Sequence, residues 1–292
     1  MNNKFTQFLS KHPHLIVVLL ALVVCIIFQI SWKWLLLFYV AYAVILYFIK
    51  LPTTLGGTGY FLECALHAEK LARKMYKWSF EHQGKNVYGL MSYGLYLLRD
   101  CQYPESLDVF EYVLTITSPE SVMTKYARQD FAISLWKNNR LDDAIACMEQ
   151  MHKDYEYFSI DFYTTIGYFY IEAGDYEKAA EYTNLALEED ETHGPAYDNL
   201  GQIEFRKGNY EEAKELLLKA LDLKDTMADS KYYLGLIYES EGDLEHALEY
   251  FIAAHKSTIT GMNTVERSVI DAKYNEYMQQ LDSKPTDDEE EE

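Results

Sequence analysis

The sequence predicts an all-α protein: an N-terminal transmembrane helical hairpin followed by an α-solenoid of stacked helix pairs with a C-terminal capping helix. Three observations carry this. Two uncharged apolar runs lie close to the N-terminus, a period of 34 residues marks the second half, and a polar helical stretch precedes an acidic end.

The formal charge of −20 is divided unevenly, with +6 over residues 1–87 and −26 over 88–292. An acidic body without a Lys/Arg cluster repels phosphate backbones, which argues against a nucleic-acid partner. The cysteines Cys25, Cys64, Cys101 and Cys147 show no CxxC spacing, and no HExxH pair is present. His12-Pro13-His14 reads as an interfacial turn. No zinc site, cofactor motif or catalytic motif is called for, so the chain is read as a non-enzyme.

After a short N-terminus over 1–13, residues 14–31 and 34–50 are two candidate spans, with Ser31-Trp32-Lys33-Trp34 as the tip between them. Together they are too long for one crossing and slightly short for two, so modest bilayer thinning is expected. The apolar stretch before Ala41-Tyr42-Ala43 is too long for a cleaved signal. Lys4 and Lys11 on one side and Lys50 to Lys77 on the other place both termini in the cytoplasm by the positive-inside rule. A single crossing would instead put the acidic body outside. Residues 51–86 follow as a hinge at Leu55-Gly56-Gly57-Thr58-Gly59 and one helix from Tyr60 to His82. Its Lys70, Arg73, Lys74 and Lys77 either face anionic headgroups or sit in solvent as a cover for the next domain.

Gly167, Gly201 and Gly235 recur every 34 residues, and so do Gly174, Gly208 and Gly242. Glu177, Glu211 and Glu245 keep the same step, as do Ala179, Ala213 and Ala247, and Ala186, Ala220 and Ala254. The first Gly and first Ala are expected where two helices approach closely. The second Gly is expected to end the first helix with positive φ. Asp175, Asn209 and Asp243 are expected to cap the second helix. A single hairpin cannot bury its apolar face alone, so the copies are expected to stack.

These columns resemble the tetratricopeptide repeat (TPR) family, through Tyr163, Ile166-Gly167, Tyr170 and Ala179 in copy 160–193. Copy 194–227 adds Tyr197, Leu200-Gly201 and Tyr210, and copy 228–261 adds Leu234-Gly235, Tyr238 and Phe251. Weaker copies are read at 87–120, through Gly94, Leu97, Phe110 and Pro119, and at 125–158, through Trp136, Leu141, Ala144 and Met148. The five units therefore span 87–261. A capping helix over 262–282 follows, with Val265, Val269, Ala272 and Tyr277 facing inward, and the acidic tail 283–292 is read as disordered.

The resemblance implies a scaffold whose first helices line a concave groove. Carried onto this chain, the groove positions are Tyr126, Gln129, Ile133 and Trp136, then Asp161, Thr164, Tyr168 and Ile171, then Asp198, Gln202 and Phe205, then Asp229, Tyr232 and Leu236. The Lys and Asn that TPR domains use to capture a chaperone's C-terminal carboxylate are missing. An aromatic groove with carboxylates implies a protein or peptide partner with basic and apolar residues, alongside membrane lipid at the N-terminal hairpin. An accessory role in a secretion, envelope-assembly or transport complex is the second reading, and a repeat-based signalling enzyme the third.

Overall fold

A computed structural model describes residues 32–156 and 158–282, and every regular element among them is a helix. The chain divides into two compact units, one up to Gly89 and one from Leu90 onward.

The first unit contains α1 (Trp32–Leu66) and α2 (Glu69–Glu81). The candidate span 14–31 lies outside the described residues, as do residues 1–13. The expected hinge does not exist, because α1 continues unbroken through Leu55 to Gly59. Those glycines seat other side chains instead. A Cβ on Gly56 would lie 2.8 Å from Ser79 Oγ, and one on Gly59 would lie 2.9 Å from the Tyr76 ring. Small residues on one helix face let α2 approach closely. The chain turns at His67, where φ is 50°, so the expected helix from Tyr60 to His82 is split in two. Tyr76 donates a hydrogen bond to Glu63 across this turn.

Among the described residues one helix is long and apolar enough to cross a membrane, Leu36–Leu66, with a mean hydropathy of 1.8. Leu36, Val44, Phe48 and Ile49 are exposed. At 1.5 Å per residue a helix of 35 residues reaches about 52 Å, well beyond a hydrocarbon core of about 30 Å. The helix continues past Lys50, where the expected second span 34–50 stops. On α2, Lys70, Lys74 and Lys77 are exposed. Arg73 is half-buried and pairs with Glu69 at 2.7 Å, and Lys77 approaches Glu81 at 3.9 Å.

Beyond α3 (Val87–Arg99) and α4 (Tyr103–Ile116), helix pairs succeed one another. They are α5 (Val122–Lys137) with α6 (Leu141–Asp154), α7 (Ile160–Ala173) with α8 (Tyr176–Glu189), and α9 (Gly194–Lys207) with α10 (Tyr210–Leu223). The last pair, α11 (Ala228–Ser240) with α12 (Leu244–Lys256), is followed by α13 (Arg267–Asp282). The first helix of each pair ends at a left-handed residue: Cys101, Asn139, Gly174, Gly208 and Gly242, with φ of 60°, 60°, 78°, 84° and 78°. The 34-residue step thus holds for the last three, while 35 residues separate Asn139 from Gly174 and 38 separate Cys101 from Asn139. Extra chain between α4 and α5 explains the longer first interval, and α5 begins at Val122 rather than 125.

Five residues past each left-handed position sits a fully buried small side chain. These are Ala144, Ala179, Ala213 and Ala247, with Ser106 in the first pair. Gly167 and Gly201 each point at the second helix of their own pair, where an added Cβ would lie 3.3 Å from the carbonyls of Ala179 and Ala213. Asp175 caps α8 by accepting from Lys178 N at 3.1 Å, and Asp243 caps α12 by accepting from His246 N at 3.2 Å. Asn209 does not cap α10. Its side-chain Nδ2 donates to Glu204 Oε2 at 2.6 Å, which draws the amide back toward α9.

The capping helix also differs from expectation. Residues 263–266 are not helical, so the helical phase starts at Arg267 and a different face turns inward. Ile270 and Tyr277 are buried, whereas Val269 and Ala272 are exposed. Val265 is buried too, but as part of the non-helical segment. The tail 283–292 lies outside the described residues.

Candidate partner-binding groove

First helices α5, α7, α9 and α11 each contribute to a cavity of about 930 Å³. Ile133 and Trp136 come from the end of α5, and Thr164, Thr165, Tyr168 and Phe169 from the middle of α7. Asp198 and Asn199 come from α9, and Asp229 and Lys231 from α11. Trp136 meets Tyr168 edge-on at 5.2 Å and Phe169 at 5.7 Å, so three aromatic rings from two helices form one wall.

Of the sequence-derived groove positions, Ile133, Trp136, Thr164, Tyr168, Asp198 and Asp229 come together around this cavity. Tyr126 and Gln129 line a separate depression of about 300 Å³ with Phe158 and Phe162. Ile171 and Gln202 are fully buried behind the wall. Phe205, Tyr232 and Leu236 are half-buried against the core around Leu234 and Ile237, and Asp161 points out, its side chain 79% exposed.

The two groove carboxylates are not open acids. Asp198 accepts from Gln202 Nε2 at 2.8 Å and from the Ser230 hydroxyl. Burial, with Asp229 nearby, pushes its carboxyl up to about 7. Asp229 is likewise raised by burial, against hydrogen bonds from Val265, Asn263 and Thr264 that favour its charged form. A protonated Asp198 gains a donor, and Gln202 Oε1 is a buried oxygen with no protein partner. Rotating the Gln202 amide would let it accept that proton.

A stability consequence follows. The native state keeps a proton on Asp198 that the unfolded chain releases near the ordinary carboxylate value of 3.8. Stability therefore declines as pH rises from about 4 to about 7, and this contribution is flat above that window. Asp198→Asn keeps shape and removes the titration, so melting measured across this range should show a shallower slope and a relative gain at pH 8. A variant whose pH profile superposes on that of the native protein would contradict the assignment.

Residues outside the sequence-derived set also shape the groove. Lys224, Asp225, Thr226 and Met227 come from the loop between α10 and α11, Lys256 from the last residue of α12, and Ser257, Thr258, Thr260 and Met262 to Thr264 from the segment after it. Lys137 sits over the Trp136 ring at 3.9 Å, and burial lowers its ammonium pKa despite Asp229 and Glu266. Reading only the repeat's first helices misses these, since loop positions carry no periodic signal. The cavity lining consequently holds Lys224, Lys231 and Lys256 as well as Asp198, Asp225 and Asp229, a balanced rather than purely acidic set.

Residues 160–193 and 199–257 each match a tetratricopeptide repeat model. No curated protein matches the chain significantly. Among solved structures, a thermophilic TPR protein from Thermus thermophilus is similar, with 18% identity and a TM-score of 0.55. The match covers 66% of this chain and 99% of that one. YrrB, described as a TPR protein with an unusual peptide-binding site, shares 15% identity over 71% of this chain and 97% of its own, with a TM-score of 0.40. MamA from Desulfovibrio magneticus shares 16% identity over 59% of this chain and 94% of its own, with a TM-score of 0.44. The likeness to the Thermus protein is one of fold.

Proposed function

We propose, since residues 160–193 and 199–257 match tetratricopeptide repeat models and the helix pairs stack as such repeats do, that the groove of this chain holds a segment of another polypeptide while α1 fixes it to a membrane. The supporting observation is the ring wall of Trp136, Tyr168 and Phe169 beside a cavity of about 930 Å³. Tyr168 and Phe169 are themselves buried and back the half-buried Trp136, whose rigid indole is the ring open to a partner, the usual chemistry of an interaction hot spot. Apolar side chains of the partner fit that wall, and basic ones fit Asp225 at its edge. In this reading the protein is a scaffold, and its chemistry is binding rather than catalysis.

The membrane part of the proposal rests on the outward apolar faces of α1, which suit hydrocarbon better than water. A further crossing by 14–31 would return the N-terminus to the cytoplasm, with the repeats on the same side. With α1 alone crossing, the repeats would lie opposite the N-terminus. Exposed Lys70, Lys74 and Lys77 fit a position beside anionic headgroups, with Arg73 partly neutralised by Glu69.

Photo-crosslinking from native membranes tests the groove. With a benzoyl-phenylalanine in place of Thr165, inside the groove, partners should be captured that are absent when it replaces the exposed Glu181 on α8. Adding Trp136→Ala should reduce that capture. Identical crosslinks from both positions would remove the groove as the binding surface.

A further inference from the structure

Between α12 and α13 the chain leaves helical geometry and runs back along the repeats. Its amides and side chains reach three helix pairs. Gly261 N donates to Arg99 O at 2.9 Å in the first pair, and the Tyr103 hydroxyl donates to Gly261 O at 3.3 Å. Lys137 Nζ, from the second pair, donates to Asn263 O at 2.6 Å. Asp229, from the fifth, receives Asn263 Nδ2 at 3.1 Å, Thr264 N at 3.4 Å and Val265 N at 2.9 Å. Thr260, Met262 and Asn263 line the same cavity as Trp136 and Tyr168.

We propose that residues 257–265 are an intramolecular strap occupying the groove, and that another polypeptide enters only as the strap leaves Asp229. This rests on the groove reading above and gives it a ligand class: a polypeptide turn presenting two successive amides and a carboxamide to a buried carboxylate, as Asn263, Thr264 and Val265 do. Asp229 acts as an acceptor for three donors, which suits a backbone rather than a lone cation. Two of the strap's contacts are long, the Thr264 amide to Asp229 at 3.4 Å and the Tyr103 hydroxyl to Gly261 at 3.3 Å, beside well-made bonds from Val265 N and Gly261 N at 2.9 Å. A segment that satisfies the site better can replace it. Ile259 and Val265 pack into the core around Leu234 and Ile237 and hold the strap's two ends, so the part that lifts is Thr260 to Thr264 between them.

Gly261 supplies the means of opening it. A Cβ there would lie 2.1 Å from Leu98 O and 3.1 Å from Cys101 N, both backbone atoms that cannot yield. Gly261→Val therefore expels the strap while leaving the repeat helices intact, and Asn263→Ala weakens it more gently by removing one bond to Asp229. The full chain in lipid nanodiscs is followed by amide exchange, and by binding of a fluorescein-labelled peptide of residues 257–266. In the native protein, strap amides should be protected and the peptide should bind poorly. In Gly261→Val, strap protection should fall at least tenfold, helix protection should persist, and the peptide should bind at least tenfold more tightly. Asp229→Asn should abolish that gain, and Asn263→Ala should lie in between.

Strap amides that exchange freely in the native protein, or equal peptide binding by the native and both opened forms, would overturn the proposal. Should Gly261→Val also expose its helices, Asn263→Ala decides by the same two readings. These outcomes are independent of any cellular partner. A strap that behaves as stated, with no crosslinked protein from position 165 even in the opened form, would refute the scaffold reading and leave the strap standing.

Discussion

Phe251→Ala should destabilise the C-terminal end of the array by about 3–5 kcal/mol, the usual loss for emptying a fully buried phenylalanine site. The ring is wholly buried, lies 5.0 Å from Tyr277 of α13 and 6.0 Å from Tyr232 of α11, and fills the space left open by Gly235. It is the shared contact of three helices. Repeat arrays derive their stability from each unit and its interfaces with immediate neighbours. The loss should accordingly be local, with amide exchange accelerating over 228–282 while α7 and α8 keep their protection. Uniform acceleration along the array would contradict nearest-neighbour coupling, and no acceleration would contradict the packing.

Gly201→Leu is the second large effect, and its cause is the opposite one. A Cβ at Gly201 would lie 2.6 Å from Leu217 Cγ and 3.3 Å from the Ala213 carbonyl. The first neighbour is a side chain that is itself fully buried, and the second is backbone, so the new atoms have nowhere to go. Overpacking of this kind costs about 1–3 kcal/mol, and the double obstruction places this case at the upper end. Leu217→Ala in the same chain removes the nearer, side-chain part of the clash and should return part of the loss, while the Ala213 carbonyl stays in the way. Thermal melting of the single and double variants forms the cycle. A single variant that melts with the native protein, or a double variant that gains nothing, would show that the two helices do not meet at this point.

Much of the repeat fold is legible in the sequence because its small residues are literal letters at a constant step. Ala179, Ala213 and Ala247 are small for the same reason, and all are completely buried. The first two pairs are harder to see for a reason the backbone makes plain. Their left-handed positions are held by Cys101 and Asn139 rather than glycine, and Ser106 stands where later copies have alanine. Asparagine tolerates that conformation through local hydrogen bonding, so a search for glycine passes over it. Conversely, the glycines at 56, 57 and 59 read as a hinge and are none. Glycine at a helix–helix contact and glycine at a hinge look alike in sequence, and only the partner ring of Tyr76 tells them apart.

The groove is legible in part. Positions on the first helices locate the wall of Trp136 and Tyr168, because repeat geometry carries them to one side. Burial separates Ile171 and Gln202 from that wall, a distinction that depends on how far neighbouring pairs overlap. The charge of the site is not readable from those helices, since its lysines lie at Lys224, Lys231 and Lys256 and partly outside them. Nor is the strap, whose polar, aperiodic sequence resembles any connecting loop until Asp229 and Arg99 are found to hold it.

Trp136 has one more consequence. The chain has four tryptophans, and the other three, Trp32, Trp34 and Trp78, all precede residue 90. Replacing those three by phenylalanine would leave a single indole, stationed under Lys137 at the doorway of the groove. The molecule thus carries a built-in optical gauge, whose emission colour and quenching by iodide would register arrivals and departures there without any attached dye.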